Sequence, residues 1–432
     1  MPLSDRQLAM LGGLVRAAPD RGIEQLALAL AAGAADDQAL AEVHALFAAE
    51  LAERRARDAV LAPLLPQCDP ALAWPKRILL PKAAISMIWR GLKAAQPDLA
   101  QAAILAANEP FQPDEIPAAF DDLCTAAAPD ITLPGPDGDV AQTLAALVPV
   151  LRRADAALDV WLRIQTSESV AAMRLAYKDA DRAAKDSGPL FMEALLNRLA
   201  EPWQILRVIS AVMDRPSDRY LSESELAHIG LRLLSELDRQ VETIRRFDPH
   251  RGFEGGVATA AIALTTTHQI NEFEQWLTLK RDGPWGERVA AAKRNLSLAM
   301  EAWLREVEPA LAAALPTQSV RGLGGRGMRA APRLAADPDL AAVRKAEGLL
   351  ALLDACRASA QNGGFASLRG KVKEALEKRL DAYVEDLLDQ LHSGAGPDPE
   401  RIRTFLDLAA DFTGHVKDPE AARIVRRRSA AA

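Results

Sequence analysis

Cysteine is scarce in this chain, with three residues among 432. Cys68, Cys124 and Cys356 lie far apart, no CxxC pair exists, and an odd number of cysteines cannot all pair within one chain. This distribution argues against a disulfide scaffold and against a CxxC metal or redox motif. It favours buried free thiols in a reducing compartment.

Long apolar runs and a signal-peptide pattern are also lacking. The first twenty residues, MPLSDRQLAMLGGLVRAAPD, are interrupted by charge every few positions. No apolar run approaches the roughly 18 residues that a membrane-spanning helix needs. We therefore expect no transmembrane segment and a cytoplasmic location.

Aromatic residues make up only 5% of the chain, although 49% of it is hydrophobic. The core must therefore be built mainly from Ala, Leu, Val and Ile, and Ala and Leu are the strongest helix formers. A surplus of positive charge is missing as well, since the net charge is -7. This balance argues against wholesale nucleic-acid binding, which usually requires a basic surface.

Apolar residues instead recur every three or four positions, the spacing of one face of an amphipathic helix. Three such sets are Leu144, Leu147, Leu151, Ala154, Leu158 and Trp161; Leu226, Ile229, Leu233, Leu237, Val241 and Ile244; and Val372, Leu376, Leu380, Tyr383, Leu387 and Leu391. Alternating β-branched runs are missing, and the nearest, PDITLPGPDGD, is broken by proline. The pattern predicts an all-α fold. We expect bundles of long antiparallel amphipathic helices joined by flexible linkers, or an irregular helical array.

Local signals predict several helix ends. Ser222 and Glu225 have the spacing of a capping box, which marks a helix start. Pro189 and Pro284 suit first turns, where the missing N–H costs nothing. Gly363, with the glycine after it, separates two late helices.

Composition predicts three units. The segment APDITLPGPDGD (128–139) is rich in proline, and SVRGLGGRGMRAAPRL (319–334) is rich in glycine. Both are typical of connections. We therefore predict an N-terminal unit over 1–128 with shorter, proline-broken helices, a central long-helix bundle over 139–318 and a C-terminal helical unit over 334–432.

The glycine-rich stretch invites a phosphate-binding interpretation. A P-loop, however, ends in Lys followed by Ser or Thr and follows a strand, and neither feature is present. The ordering entropy of so many glycines favours a flexible linker. Its arginines keep another hypothesis open, since they can become ordered on an acidic partner, a phosphate-bearing ligand or a membrane surface. These arginines are Arg321, Arg326, Arg329 and Arg333.

Metal chemistry has one weak candidate set. Glu225 and His228 form an E-x-x-H, and His268 and Glu272 lie four residues apart on a predicted helix. Di-iron helical bundles need two E-x-x-H motifs and two further Glu residues, and only one such motif is present. We favour ordinary polar residues here, and we expect no metal and no other cofactor.

The stretch RRFDPHRGFEGGVATAAIALTTTHQINEFEQW predicts a tight turn between two long helices. Its small residues favour close helix packing, and its threonines can bond carbonyls one turn earlier. The alternative is a polar pocket or a docking corner at one end of the helix pair, because basic residues gather at the turn. These are Arg245, Arg246, His250 and Arg251.

The C-terminal arginines also have two interpretations. They complement the dipole of a last helix, or they form a docking tag for an acidic surface. The residues are Arg423, Arg426, Arg427 and Arg428.

Three functions remain open. Long charged helices without a recognisable Ser-His-Asp or Cys-His arrangement favour a non-enzymatic scaffold or adaptor that binds another protein and can self-associate. The alternative is an enzyme or ligand-binding protein with a pocket in the central helices near His268. A third hypothesis is a nucleic-acid-associated factor that uses the arginine clusters.

Overall fold

The structure, a computed structural model, describes residues 3–34, 37–111, 115–213, 216–321, 328–393 and 398–432. It confirms the all-α prediction, because the described residues are overwhelmingly helical. No helix within these ranges is long and apolar enough to cross a membrane. The chain divides into two compact units, residues 1–214 (unit 1) and 215–432 (unit 2).

The boundary between these units falls inside the central bundle that the sequence predicted over 139–318. The segment 128–139 lies within unit 1. Ile131 is buried, and the side-chain amide of Gln142 donates to the carbonyls of Ala128 and Pro129, each at 3.2 Å. The three prolines of the segment are exposed, so Ile131 and these hydrogen bonds attach it to the unit.

Unit 1 consists of α-helices whose connections include 3-10 segments. The helices are α1 (Asp5–Ala17), α2 (Asp20–Gly33), α3 (Gln38–Val60), α4 (Lys82–Ala95), α5 (Pro97–Asn108), α6 (Ala118–Ala127), α7 (Gly138–Arg163), α8 (Ser167–Ala183), α9 (Ser187–Arg198) and α10 (Ile205–Val212). The 3-10 segments are the seven-residue Ala62–Cys68 and the shorter Ala128–Asp130 and Pro202–Gln204.

The first three helices form a small core of their own. Val15 of α1, Ile23 and Ala27 of α2 and Phe47 of α3 are buried against one another. This cluster holds α1 and α2 on the long helix α3, with α1 beside α3. It places the exposed side of α1 along one edge of the candidate site.

Unit 2 contains longer helices and a small β-ribbon. Its elements are α11 (Asp218–Glu223), α12 (Ala227–Arg245), a 3-10 turn (Pro249–Arg251), α13 (Gly252–Trp276), α14 (Pro284–Ala314), β1 (Thr317–Arg321), β2 (Met328–Pro332), α15 (Leu340–Ala355), α16 (Arg357–Ala360), α17 (Ala366–Ser393), α18 (Pro399–Val416) and α19 (Pro419–Ala431).

The predicted apolar stripes lie in the cores. All six stripe residues of α7 and all six between Leu226 and Ile244 are buried, as are the first five of α17, with Leu391 half-buried. The small residues of α13 permit the expected close packing. A Cβ at Gly256 would lie 2.1 Å from the carbonyl oxygen of Gly348 in α15. Helical periodicity therefore identified the buried faces correctly.

The structure corrects the expectation for both flanks of the glycine-rich stretch. Strands β1 and β2 pair antiparallel, from Thr317 opposite Pro332 to Arg321 opposite Met328. The N–H of Arg333 donates to the carbonyl of Pro316 at 2.9 Å, which ties the base of the ribbon. Because few residues separate the two strands, bringing them together costs little conformational entropy. The strands can therefore pair independently of the strand propensity of their residues.

The helix-end predictions have mixed outcomes. Pro189 and Pro284 lie in first turns and Gly363 lies between α16 and α17, as predicted. The capping box at Ser222 is wrong, because Ser222 lies inside α11 and its hydroxyl donates to the carbonyl of Arg219 at 2.9 Å. The motif lies too early in the chain to cap α12, because Ser222 belongs to the short helix α11 and α12 begins only at Ala227.

Candidate functional site

The four candidate metal ligands do not assemble a centre. Among the described residues, no group of three or more His, Cys, Asp and Glu side chains is placed to hold a metal ion. His268 and Glu225 are exposed, whereas Glu272 is buried. The Nδ1 atom of His228 lies 2.8 Å from the carbonyl oxygen of Glu225, so this motif makes a local bond.

The predicted corner between α12 and α13 exists, and its arginines are partly paired. Arg245 and Arg246 form ion pairs with Glu242 of the same helix, at 3.5 and 2.6 Å. His250 and Arg251 are exposed in the turn. Since i,i+3 and i,i+4 pairs on an exposed face contribute only a few tenths of a kcal/mol, about 0.2–0.5 each, they hold these side chains weakly.

Beside this corner lies a groove of about 570 Å³ along α14. Its lining residues are Arg245, Asn295, Leu298, Ala299, Ala302, Trp303 and Glu306. The indole N–H of Trp303 donates to the carbonyl of Ile244 at 2.9 Å, and Glu306 pairs with Lys345 at 3.2 Å. The charged residues of this groove, Arg245 and Glu306, are therefore opposite in sign and already form ion pairs within the chain.

The seam between α12 and α13 is polar and internally bonded. Thr266 donates to the side-chain oxygen of Gln240 at 3.0 Å, and Gln240 donates to Glu236 at 2.9 Å. Thr266 and Thr267 also lie 2.7 Å from carbonyls four residues earlier, which confirms the predicted threonine bonding. The cleft here measures about 220 Å³, below the roughly 300–1,000 Å³ of small-molecule pockets, and His268 does not line it.

The C-terminal arginines are bound within the chain. Arg428 makes a bidentate pair with Glu385 of α17, at 2.5 and 2.7 Å. Arg426 pairs with Asp411 of α18, and Arg427 pairs with Glu420 of its own helix at 2.8 Å. Because α19 buries few side chains, the pairs of Arg426 and Arg428 help to hold it on α18 and α17.

The arginines of the ribbon are only partly described. Arg329 of β2 pairs with Asp386 of α17 at 2.7 Å, and Arg333 is exposed. Arg326 and the side chain of Arg321 lie outside the described residues. The pairing of Arg329 gives it a structural role on α17.

Another basic feature lies in a groove of unit 1 that the sequence patterns did not predict. We call it the basic groove. It has two adjoining parts of about 680 and 500 Å³, between α1, α3, α4 and α5, and both parts are lined by Arg16, Glu50, Glu53 and Arg90. Further charged lining residues are Arg54, Arg57 and Lys93. Five cations therefore face two carboxylates, although unit 1 as a whole carries more Asp and Glu than Lys and Arg.

Arg54 fixes one wall of the basic groove. Its guanidinium donates to the carbonyls of Ala18, Val15 and Arg16, at 2.9, 3.1 and 3.3 Å, and it pairs with Glu50 at 2.8 Å. A cation at a helix C-terminus satisfies the last carbonyls and interacts favourably with the helix dipole. Arg54 thereby holds the end of α1 on α3.

Glu53 fixes the opposite wall. It accepts a hydrogen bond from Lys93 at 2.6 Å and another from the indole of Trp89 at 3.1 Å, which ties α4 to α3. Burial alone would raise the pKa of Glu53. The bonds from Lys93 and Trp89 and the attraction of Lys93 and Arg16 outweigh it and lower the pKa. Glu53 is thus a stable carboxylate that neutralises Lys93.

Arg16 and Arg90 have no such partner. Both are exposed, and neither forms an ion pair within the described part of the chain. The guanidinium of Arg90 donates to the carbonyl of Ser86 in its own helix at 3.1 Å, and Arg16 only attracts Glu53 at longer range. Two cations on opposite walls are therefore available to an anionic ligand.

One signal could have revealed the groove from the sequence. Between Asp69 and Asp98 the chain has five Lys and Arg residues and no Asp or Glu, despite its acidic composition. Three of them, Lys82, Arg90 and Lys93, share one face of α4 with Ser86. The prolines around this stretch indicate broken helices, and that interpretation takes no account of its charge.

Comparison of the chain with models of protein families, with curated proteins and with solved structures gives no match.

Proposed function

We propose that this protein is a non-enzymatic helical adaptor whose basic groove binds an acidic segment of a partner protein. The observation that carries the proposal is the pair Arg16 and Arg90, which face the same groove without a carboxylate partner among the described residues. Complementary charge steers encounter and selects partners. An acidic segment would complete the ion pairs that this chain leaves open.

The chemistry of the groove suits binding better than proton transfer. A general acid or base works best with a pKa near the working pH, whereas the pKa of Glu53 is lowered by Lys93 and Trp89 despite its burial. Glu50 is engaged by Arg54. Both carboxylates therefore organise the walls and leave the two unpaired arginines as the groups that can recognise a ligand.

An acidic segment fits the groove better than a single phosphate group. The groove continues from one part to the other, and apolar residues such as Leu46 and Ile104 line it beside the cations. A chain of residues can occupy both parts and offer carboxylates at several points. The earlier alternatives, a ligand site near His268 and a nucleic-acid role, stay predictions.

The test is the binding of a labelled synthetic peptide of roughly 15 residues, made of Glu, Gly and Ser, followed by fluorescence anisotropy. We expect binding that weakens steeply as salt rises from about 50 to 200 mM, because the Debye screening length shortens over that range. The double variant Arg16→Gln/Arg90→Gln should bind about tenfold more weakly, which corresponds to roughly 1.4 kcal/mol.

The matched control is Arg245→Gln/Arg246→Gln, which removes the same charge from the predicted corner in unit 2 and should bind like the unmodified protein. A loss with the control variant and not with the groove variant would overturn the proposal. So would displacement of the peptide by inorganic phosphate at concentrations where equal ionic strength from NaCl has no effect.

A further inference from the structure

One face of α1 combines apolar side chains with small residues beside the basic groove. Met10, Gly13, Leu14 and Ala17 recur at spacings of three and four, so they lie on one side of the helix. Gly13 and Ala17 line the groove next to Arg16. Met10 and Leu14 continue this face away from the groove and form its outer rim.

This rim is unusually open. Met10 and Leu14 are 67% and 63% exposed. No atom lies within 4 Å of the position that a Cβ of Gly13 would occupy. Exposed apolar side chains that adjoin one another, bordered by charge, mark interaction surfaces in folded proteins.

We infer that the segment bound in the basic groove is an amphipathic α-helix, whose acidic side meets Arg16 and Arg90 and whose apolar side packs on Met10 and Leu14. The inference rests on the proposed function and specifies the partner. A ligand that fits must make charged contacts on one face and apolar contacts on the adjoining face. Within two turns, α1 presents Arg16 for the first and Met10 with Leu14 for the second.

The shape of α1 is the reason to choose a helix over an extended chain. Gly13 and Ala17, four residues apart, form a shallow depression between Arg16 on one side and Met10 with Leu14 on the other. Small residues at this spacing let a second helix approach closely, and larger neighbours then pack into its grooves. Helices that dock in this way anchor through residues at i, i+3, i+4 and i+7.

The probe is a synthetic peptide of roughly 15 residues, near the shortest length that forms a helix alone. It has Leu at helical spacing and Glu on the other face, and its partner peptide has the same composition in scrambled order. We expect the patterned peptide to bind at least about tenfold more tightly than the scrambled one and to gain helical circular dichroism on binding.

Two sets of variants locate the apolar contact. Met10→Ser/Leu14→Ser should weaken the patterned peptide about tenfold and leave the Glu, Gly and Ser peptide unaffected. The control, Leu26→Ser/Leu28→Ser, alters two exposed leucines of the neighbouring helix α2 that do not line the groove. It should leave both peptides unaffected.

A third variant separates docking from folding. Gly13→Leu adds a side chain where the chain has open space, and replacing a helical glycine favours the helix. It should leave thermal stability equal or higher while it weakens the patterned peptide about tenfold. Undiminished binding to Gly13→Leu would contradict close helix approach.

The outcomes distinguish this inference from the proposed function. If the Glu, Gly and Ser peptide binds through Arg16 and Arg90, and the patterned and scrambled peptides bind equally, the helical partner is wrong and the acidic groove stands. If no acidic peptide binds, both are wrong.

Discussion

The C-terminal helix α19 and the basic groove of unit 1 both concentrate arginines, and they use them differently. In α19, Arg426, Arg427 and Arg428 meet Asp411, Glu420 and Glu385 within the chain. In the groove, Arg16 and Arg90 form no ion pair within the described residues. The conspicuous cluster in the sequence is therefore largely neutralised, and the inconspicuous one is available.

Positive charge along a sequence and positive charge open to a partner are therefore separate quantities. Folding brings Asp411 and Glu385 to the arginines of α19, and Glu420 lies in α19 itself, so the attraction of these arginines for an external ligand is offset. The groove differs because its carboxylates, Glu50 and Glu53, are engaged by Arg54 and Lys93. What remains unpaired after this internal matching is what a partner can recognise.

The largest expected effect separates two arginines of the groove by role. Arg54→Ala should lower the free energy of unfolding by on the order of 2–4 kcal/mol, because it leaves buried carbonyls and Glu50 without their partner. Arg90→Ala should change it by less than about 0.5 kcal/mol, as expected for an exposed side chain. Urea unfolding followed by circular dichroism measures both.

Arg54→Lys serves as the control in this comparison. Lysine keeps the charge but lacks the planar fork that reaches several carbonyls, so it should recover only part of the loss. Equal costs for Arg54→Ala and Arg90→Ala would show that the two arginines do not differ in role.

A smaller effect is expected at Glu53, where a substitution should make the groove more basic. Glu53→Gln releases Lys93, which then joins Arg16 and Arg90 as an unpaired cation. The labelled Glu, Gly and Ser peptide should bind about threefold to tenfold more tightly, at most about 1.4 kcal/mol. Weaker binding to a correctly folded Glu53→Gln would contradict the role of Glu53 as the internal neutraliser of Lys93.

Comparison with Glu53→Gln should also reveal how the stability of the fold depends on pH. The pKa of Glu53 is lowered in the folded chain from its ordinary value of 4.5. A group with a lowered folded pKa stabilises the fold above its unfolded pKa and loses that contribution as the pH falls through the folded pKa. The stability of the unmodified protein relative to Glu53→Gln should therefore be constant near neutral pH and decline below 4.5.

The smallest effect is expected for α19. Asp411→Asn/Glu385→Gln should reduce overall stability by less than about 1 kcal/mol, because exposed ion pairs contribute little. It should still speed tryptic cleavage within α19, which few apolar side chains hold in place. Raising salt from about 50 to 500 mM should speed the cleavage of the unmodified protein in the same direction. Cleavage that is insensitive to both changes would show that apolar packing alone holds α19.

Features that depend on near neighbours in the chain could be predicted from the amino-acid sequence. Repeats of three and four predicted the helices and their buried faces, from the stripe of α7 to Leu233 and Leu237 of α12, all of which are buried. The threonine bonds of α13 also reach only four residues back. A helix is a local structure with a fixed period, so its apolar face can be read from spacing alone.

Tertiary structure decided the rest, because the interactions concerned join residues far apart in the chain. Lys93 meets Glu53 across 40 positions, and Arg428 meets Glu385 across 43. No local pattern shows which arginine will find a carboxylate and which will not. The capping motif at Ser222 and the β-ribbon at 317–332 were mispredicted although their hydrogen bonds are local, because packing and strand pairing override residue preference. In the basic groove, α3 and α4 place Glu53, Arg54 and Lys93 so that they are engaged in internal ion pairs, whereas Arg16 and Arg90 form none among the described residues.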